Sequence, residues 1–177
     1  LGLTPEYGGV HGHGGTHMSV LGFDDHSYVE LISEWEDGSH WLWPHHIRHD
    51  GGPAAWCVRV PDIAAAAKAG IDAGDRVDGP ASGARERDDG RRVEWDKVAF
   101  GTESERLLLP FAIEDRTPLS YRVSPSPSVS GGPLTGLGQV VLAVEDVSAA
   151  VDRFRGRYRL PNPVTGAVSG LGTVRSF

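Results

Sequence analysis

The chain has 177 residues, 39% of them hydrophobic, with a formal net charge of −7, which is enough for one ordinary domain or two small ones and too acidic for nucleic acid to be the default partner. No apolar run approaches the roughly 20 residues of a membrane helix, and no basic-then-apolar leader opens the sequence. A single cysteine, Cys57, permits no internal disulfide, which suits a reducing, cytoplasmic compartment.

In chain order, Thr16 to Phe23 and Ser27 to Ser33 predict a hairpin turning at Asp24-Asp25. Glu36 to Pro53 mixes Gly, Pro, Trp and His without a period and predicts a long loop. Ala55 to Val60 is a short apolar strand, and Cys57 within it is expected to be a buried, inert thiol. Pro61-Asp62 then opens the alanine-rich run from Ile63 to Gly70, where Asp62 is a good N-cap and alanine the best helix former. Asp75 to Gly90 is rich in Gly and charge and predicts one strand between turns. Arg92 to Phe100 and Arg106 to Ile113 predict two further strands around the turn from Gly101 to Glu105. Thr117 to Pro133, with Ser124-Pro125-Ser126-Pro127-Ser128, predicts a linker, because Pro and Ser discourage both helix and ladder pairing.

Repetition organises these elements. Val58-x-Val60-Pro61-Asp62-Ile63-Ala64-Ala65-Ala66 matches Leu142-x-Val144-Glu145-Asp146-Val147-Ser148-Ala149-Ala150, and Leu3, Gly9, Gly15 and Thr16 match Leu160, Gly166, Gly172 and Thr173 at one constant offset. The expected organisation is a module pair over 1–115, the first module lacking its opening strand and helix, a linker over 116–135, and the start of a further module over 136–177. The start at Leu1 without Met, and the stop at Phe177 inside an apparent strand, give the expectation of a fragment cut at both ends.

A strand ending ahead of an Asp cap, an Ala-rich helix, a Gly-rich return and three strands resembles the vicinal oxygen chelate superfamily. Gly8-Gly9-Val10-His11-x3-Gly15-Thr16-His17, Tyr28-Val29-Glu30-Leu31-Ile32 and Leu109-Pro110-Phe111-Ala112-Ile113 resemble its glyoxalase-like proteins most closely. The resemblance implies an α+β fold of tandem βαβββ modules forming a cupped, barrel-like mixed sheet with helices on the convex face. It also implies an enzyme of lyase, isomerase or dioxygenase type, polarising vicinal oxygens of a small organic substrate on a divalent metal. The family's ligand positions fall on Glu30, Ala55, the neighbourhood of Pro110, and Gln139; Ala55 and Pro110 offer no donor. A metal-free binding module and an interaction protein are the alternatives, and module pairing within or between chains leaves a homodimer open.

Glu30 alternates with Val29 and Leu31, so it faces a cup if they face a helix layer. There it would act as a proton-transfer base or as a hard oxygen ligand to Mn, Fe, Ni or Zn. His17, at the start of the neighbouring strand, is expected to approach Glu30 across the hairpin as its partner in that role. His11 and His13 lie in a Gly-rich stretch that could bring them inward. Arg59, on the strand face of Cys57 and Ala55, is expected to fork onto a substrate carboxylate, with Arg85, Arg87 and Trp95 lining the same hollow. His40, His45, His46, His49, Trp41 and Trp43 populate a loop suited to a lid or a surface patch. Partners are therefore a small molecule, with neither nucleic acid nor membrane.

Overall fold

The computed structural model describes residues 2–12, 15–35, 43–170 and 172–177. β1 (Glu6–Val10), β2 (Thr16–Gly22) and β3 (Tyr28–Glu34) form an antiparallel sheet in that order. A short helix, α1 (Pro44–Arg48), follows. The next five elements are β4 (Cys57–Arg59), α2 (Ile63–Asp72), β5 (Val77–Glu86), β6 (Arg92–Phe100) and β7 (Phe111–Asp115), a complete βαβββ unit. Its sheet has the order β4-β7-β6-β5, with β4 parallel to β7 and the other pairs antiparallel. Two helices, α3 (Leu119–Arg122) and α4 (Val147–Tyr158), and a separate hairpin of β8 (Val164–Val168) and β9 (Gly172–Ser176) complete the description.

Local chemistry accounts for these elements. Along β2 burial alternates strictly, with Thr16, Met18, Val20 and Gly22 inside, the period-two signature of a strand with one covered face. Asp62 caps α2 by accepting the Ala65 amide at 2.8 Å, and Asp146 does the same for Ala149 at the start of α4, at 2.9 Å. α2 covers the outer face of the four-stranded sheet, where Ile63 and Ala67 join Val98, Phe100, Leu109 and Ala112 in one core; each large side chain buried there contributes roughly 1.5–3 kcal/mol. α4 packs Phe154 against this core. It is held by Arg153 and Arg157 on Asp75, with the Arg157 guanidinium 3.5 Å from the Phe100 ring centre.

The fold is α+β, as expected, but the sheets do not close into a barrel. The first two meet edge to edge through one bridge between His11 and Arg85 and the Gly12 amide on the Ala84 carbonyl. The strand expected from Arg106 starts only at Phe111. Thr102 and Glu105 form a reciprocal capping box that draws Glu103–Glu105 into a 3₁₀ turn, and the Leu108 and Leu109 amides bond back to the Glu105 carbonyl. The apolar stretch 139–144 forms no strand and leaves Val140 and Val141 exposed.

The stretch 116–135, expected as a linker, carries buried residues. Leu119 and Val123 pack on Met18 and Val20 of the first sheet. Ser126 is fully buried, exchanging hydrogen bonds with the Gly22 backbone through its amide and hydroxyl. The Ser124, Ser126 and Ser128 hydroxyls bond backbone groups, and this Pro/Ser stretch packs as a wedge between the sheets. Among the described residues no helix is long and apolar enough to cross a membrane.

Candidate functional site

The hollow lies between the inner faces of the two joined sheets. On the first sheet the register pairs Gly22 with Tyr28, Val20 with Glu30 and Met18 with Ile32, so Tyr28, Glu30 and Ile32 share the inner face with the buried Met18 and Val20. From the second sheet Cys57 and Arg59 of β4, Phe111 and Ile113 of β7, Trp95 of β6 and Arg85 of β5 face them across the hollow. The α3 wedge inserts Arg122 between the two walls.

Arg122 is the hub. It is 6% exposed, bonds Asp115 through Nε at 2.5 Å, and lies 4.7 Å from the Trp95 ring centre, a cation–π distance. Burial works against its charge, but the Tyr28 oxygen and the Asp115 carboxylate outweigh it and hold its pKa above the usual value. The second Asp115 oxygen meets Arg59 Nε at 3.3 Å, so one buried carboxylate clamps two guanidinium groups. Arg85, 3% exposed, donates to the carbonyls of Gly8 and Arg122, tying β1 and the wedge to β5. Gly83 makes room for the stack, since a Cβ there would stand 2.6 Å from the Trp95 indole.

Glu30 faces the hollow, with 26% of its side chain exposed, and its carboxylate lies 3.3 Å from His11 Nε2. His11 is anchored on its other side, Nδ1 to the Thr16 hydroxyl at 2.8 Å. Tyr28 stands beside them; burial, and then the Glu30 charge, push its hydroxyl up to about 12. Cys57 is exposed toward the hollow rather than buried as expected. Yet the enclosing walls desolvate it and push its thiol up to about 12, so it stays protonated at neutral pH and is a poor nucleophile.

The expected partnership of Glu30 with His17 needs correction. The register pairs His17 with Ser33, on the face opposite Glu30, because strand side chains alternate and an odd step separates the two positions. There His17 Nε2 bonds Ser33 Oγ at 2.8 Å and its ring sits between Tyr7 and Trp35. Val29 and Leu31 are exposed rather than covered by a helix layer, but Glu30 faces inward as expected. Arg59 and Trp95 face the hollow. Arg87 is spent at the rim on the Tyr121 carbonyl and Asp89. His45, His46 and Trp43 belong to or adjoin α1, whereas His13, His40 and Trp41 lie outside the described residues.

The sequence reading passed over Asp115, Tyr28 and Arg122, and gave His11 second place to His17. Asp115 and Tyr28 were detectable by alternation, being two residues from Ile113 and from Glu30. Arg122 was hidden by the composition around it.

Among the described residues the donor set does not fit a divalent metal. Glu30 and His11 supply two donors, and among the described residues no three His, Cys, Asp or Glu side chains converge. The charges nearest these two donors include the Arg59, Arg85 and Arg122 guanidinium groups, which disfavour a dication beside them.

A family model described as a glyoxalase-like domain matches residues 1–158. Among solved structures, one described as the crystal structure of a hypothetical protein from Staphylococcus aureus superimposes with a TM-score of 0.57 at 19% identity, covering 68% of this chain and 53% of that one. The chain thus spans about half the length of that structure, and the likeness is one of fold. No curated protein matches the chain.

Proposed function

The chain belongs to the glyoxalase-like domain family, and from that premise and the charges lining its hollow we propose that it binds a small, oxygen-bearing organic acid without a resident divalent metal. The observation that carries this reading is the imbalance of fixed charge. Around Arg122 the three guanidinium groups of Arg59, Arg85 and Arg122 meet two carboxylates, Glu30 and Asp115, a local positive surplus that suits a carboxylate. Farther round the hollow, Arg87, Arg92 and Lys97 are offset by Asp25, Asp50, Glu86 and Asp88. Arg59, 39% exposed at its side chain, is the guanidinium that a ligand reaches, and Asp115 orients its planar fork. Ile32, Phe111 and Ile113 supply apolar walls. An open, charge-lined hollow favours binding over a purely structural role.

The test is a ligand-observed NMR screen of hydroxy- and oxo-carboxylates against their uncharged amides. Arg59→Ala should weaken the best carboxylate by roughly 10- to 100-fold, the worth of a charge-assisted bidentate contact, and leave any amide unaffected. Carboxylates and amides bound alike, or an Arg59→Ala variant that binds as the wild type does, would refute the reading.

The His11–Glu30 contact favours a second reading, proton transfer on the bound acid. Glu30 is held by a histidine that is itself anchored on Thr16, and it faces the ligand space. It is positioned to take a proton from carbon adjacent to a carbonyl, with the electron pair moving onto that carbonyl oxygen. Exchange of the ligand's α-hydrogen for solvent deuterium, abolished in Glu30→Gln with Kd little changed, is the outcome that reading requires.

A further inference from the structure

Arg85 poses a problem that the hollow does not resolve. Its guanidinium is 3% exposed, yet among the described residues no carboxylate lies within ion-pair distance of it, whereas Arg122 has Asp115 and Arg87 has Asp89. Two carbonyls accept from its terminal nitrogens, and its Nε is buried with no hydrogen-bond partner. Buried charges are as a rule paired, because removing an ion from water costs several kcal/mol even after relaxation.

Behind the guanidinium layer, and sharing Tyr7, Arg85, Arg87 and Arg122 with the main hollow, a small cavity of about 110 Å³ opens between β1, β5 and the wedge. Arg85, Arg87 and Arg122 line it together with Val20, Val123 and Pro125. One carboxylate, Glu6, is present, and its Oε2 accepts from the Ser126 hydroxyl at 3.2 Å. The space exceeds the roughly 30 Å³ share of one water molecule.

We propose that this rear cavity binds a small inorganic anion of chloride or bromide size, which pairs with Arg85 and locks the wedge onto the β1–β5 seam. Burial, and then the like charge of Arg122, draw the Arg85 pKa down to about 10 against the pull of Glu30, and an anion beside Arg85 would oppose both. The three guanidinium groups lining the cavity disfavour a cation there. The cavity shares Arg85, Arg87 and Arg122 with the lining of the main hollow, so an anion bound there offsets part of the positive charge on which the proposed function rests.

Thermal melting of the full chain at constant ionic strength tests it, with sodium chloride or bromide replacing sodium gluconate. The expected result is a saturable rise in Tm of about 3 °C or more, equivalent to roughly 1 kcal/mol for a chain of this size. Arg87→Gln should reduce that rise, and Arg59→Ala should leave it intact while weakening ligand binding in the main hollow. Should a variant fail to fold, bromide-soaked wild-type crystals decide: an anomalous peak beside Arg85 supports the site. Melting indifferent to the anion, the same rise in Arg87→Gln, or bromide found only at surface positions as an adventitious ion would overturn it.

Discussion

Replacing Arg122 with Met should lower stability by about 3 kcal/mol or more, the usual loss when one partner of a buried ion pair is removed. Arg122 is 6% exposed and Asp115 is buried beside it. Without the guanidinium Asp115 keeps one contact, at 3.3 Å to the half-exposed Arg59, and Trp95 loses a cation over its face, worth a further 0.5–2 kcal/mol or so. For a chain of this size the drop corresponds to a fall in Tm on the order of 10 °C. Arg122→Lys keeps the charge but not the planar fork, and should fall between wild type and Met. The double variant Arg122→Met/Asp115→Leu should recover much of the loss, because an apolar pair costs no desolvation. Urea denaturation followed by circular dichroism reads all four. A loss under about 1 kcal/mol for Arg122→Met would mean that the wedge does not seat between the sheets.

Gly9→Ala should be at least as damaging. Gly9 sits at φ +105°, a backbone region open to glycine, and an added Cβ would stand 2.1 Å from the Glu86 carbonyl oxygen of the adjoining strand. Backbone strain alone costs about 1–3 kcal/mol, and the overlap is with main chain, which cannot rotate away. The damage falls at the seam where the two sheets meet, so the hollow should be lost with it. Gly90→Ala is the matched control: it also has positive φ, +79°, but open space around it, so strain alone applies, about 1 kcal/mol. Denaturation midpoints compare the two; equal losses would show that β1 and β5 do not abut as described.

Much of the fold could be read in advance because local signals and tertiary structure agree in it. The alternation of Thr16, Met18 and Val20, the Asp62 cap and the alanine run each specify an element without help from distant residues. The failures share a cause. From Arg106 to Leu109 the apolar run suggests a strand, but the Thr102–Glu105 capping box, a pattern of two residues, overrides it. The Pro/Ser stretch looked like free chain because composition reports backbone preference and says nothing of partners. Its burial depends on Gly22, more than a hundred residues away.

The site divides the same way. Glu30 faces inward although Val29 and Leu31, expected against a helix layer, are exposed, and alternation applied to the hairpin register excludes His17 from its side. Counting from Val20, opposite Glu30, gives His17 an odd step and Met18 an even one. His11 comes to Glu30 through the seam and the turn after β1, a tertiary placement no periodicity carries. Arg122 and Asp115 meet because a short helix folds back between two sheets, a pairing that sequence spacing does not carry.

Isothermal titration of the best-binding hydroxy- or oxo-carboxylate into chelator-treated protein bears most directly on the proposed metal-free binding. Saturable uptake of the acid, unchanged when micromolar Mn, Ni or Zn is added back, is the predicted result. Heat that appears only once one of those ions is supplied, and disappears again in Glu30→Gln, would contradict it and return the hollow to metal chemistry.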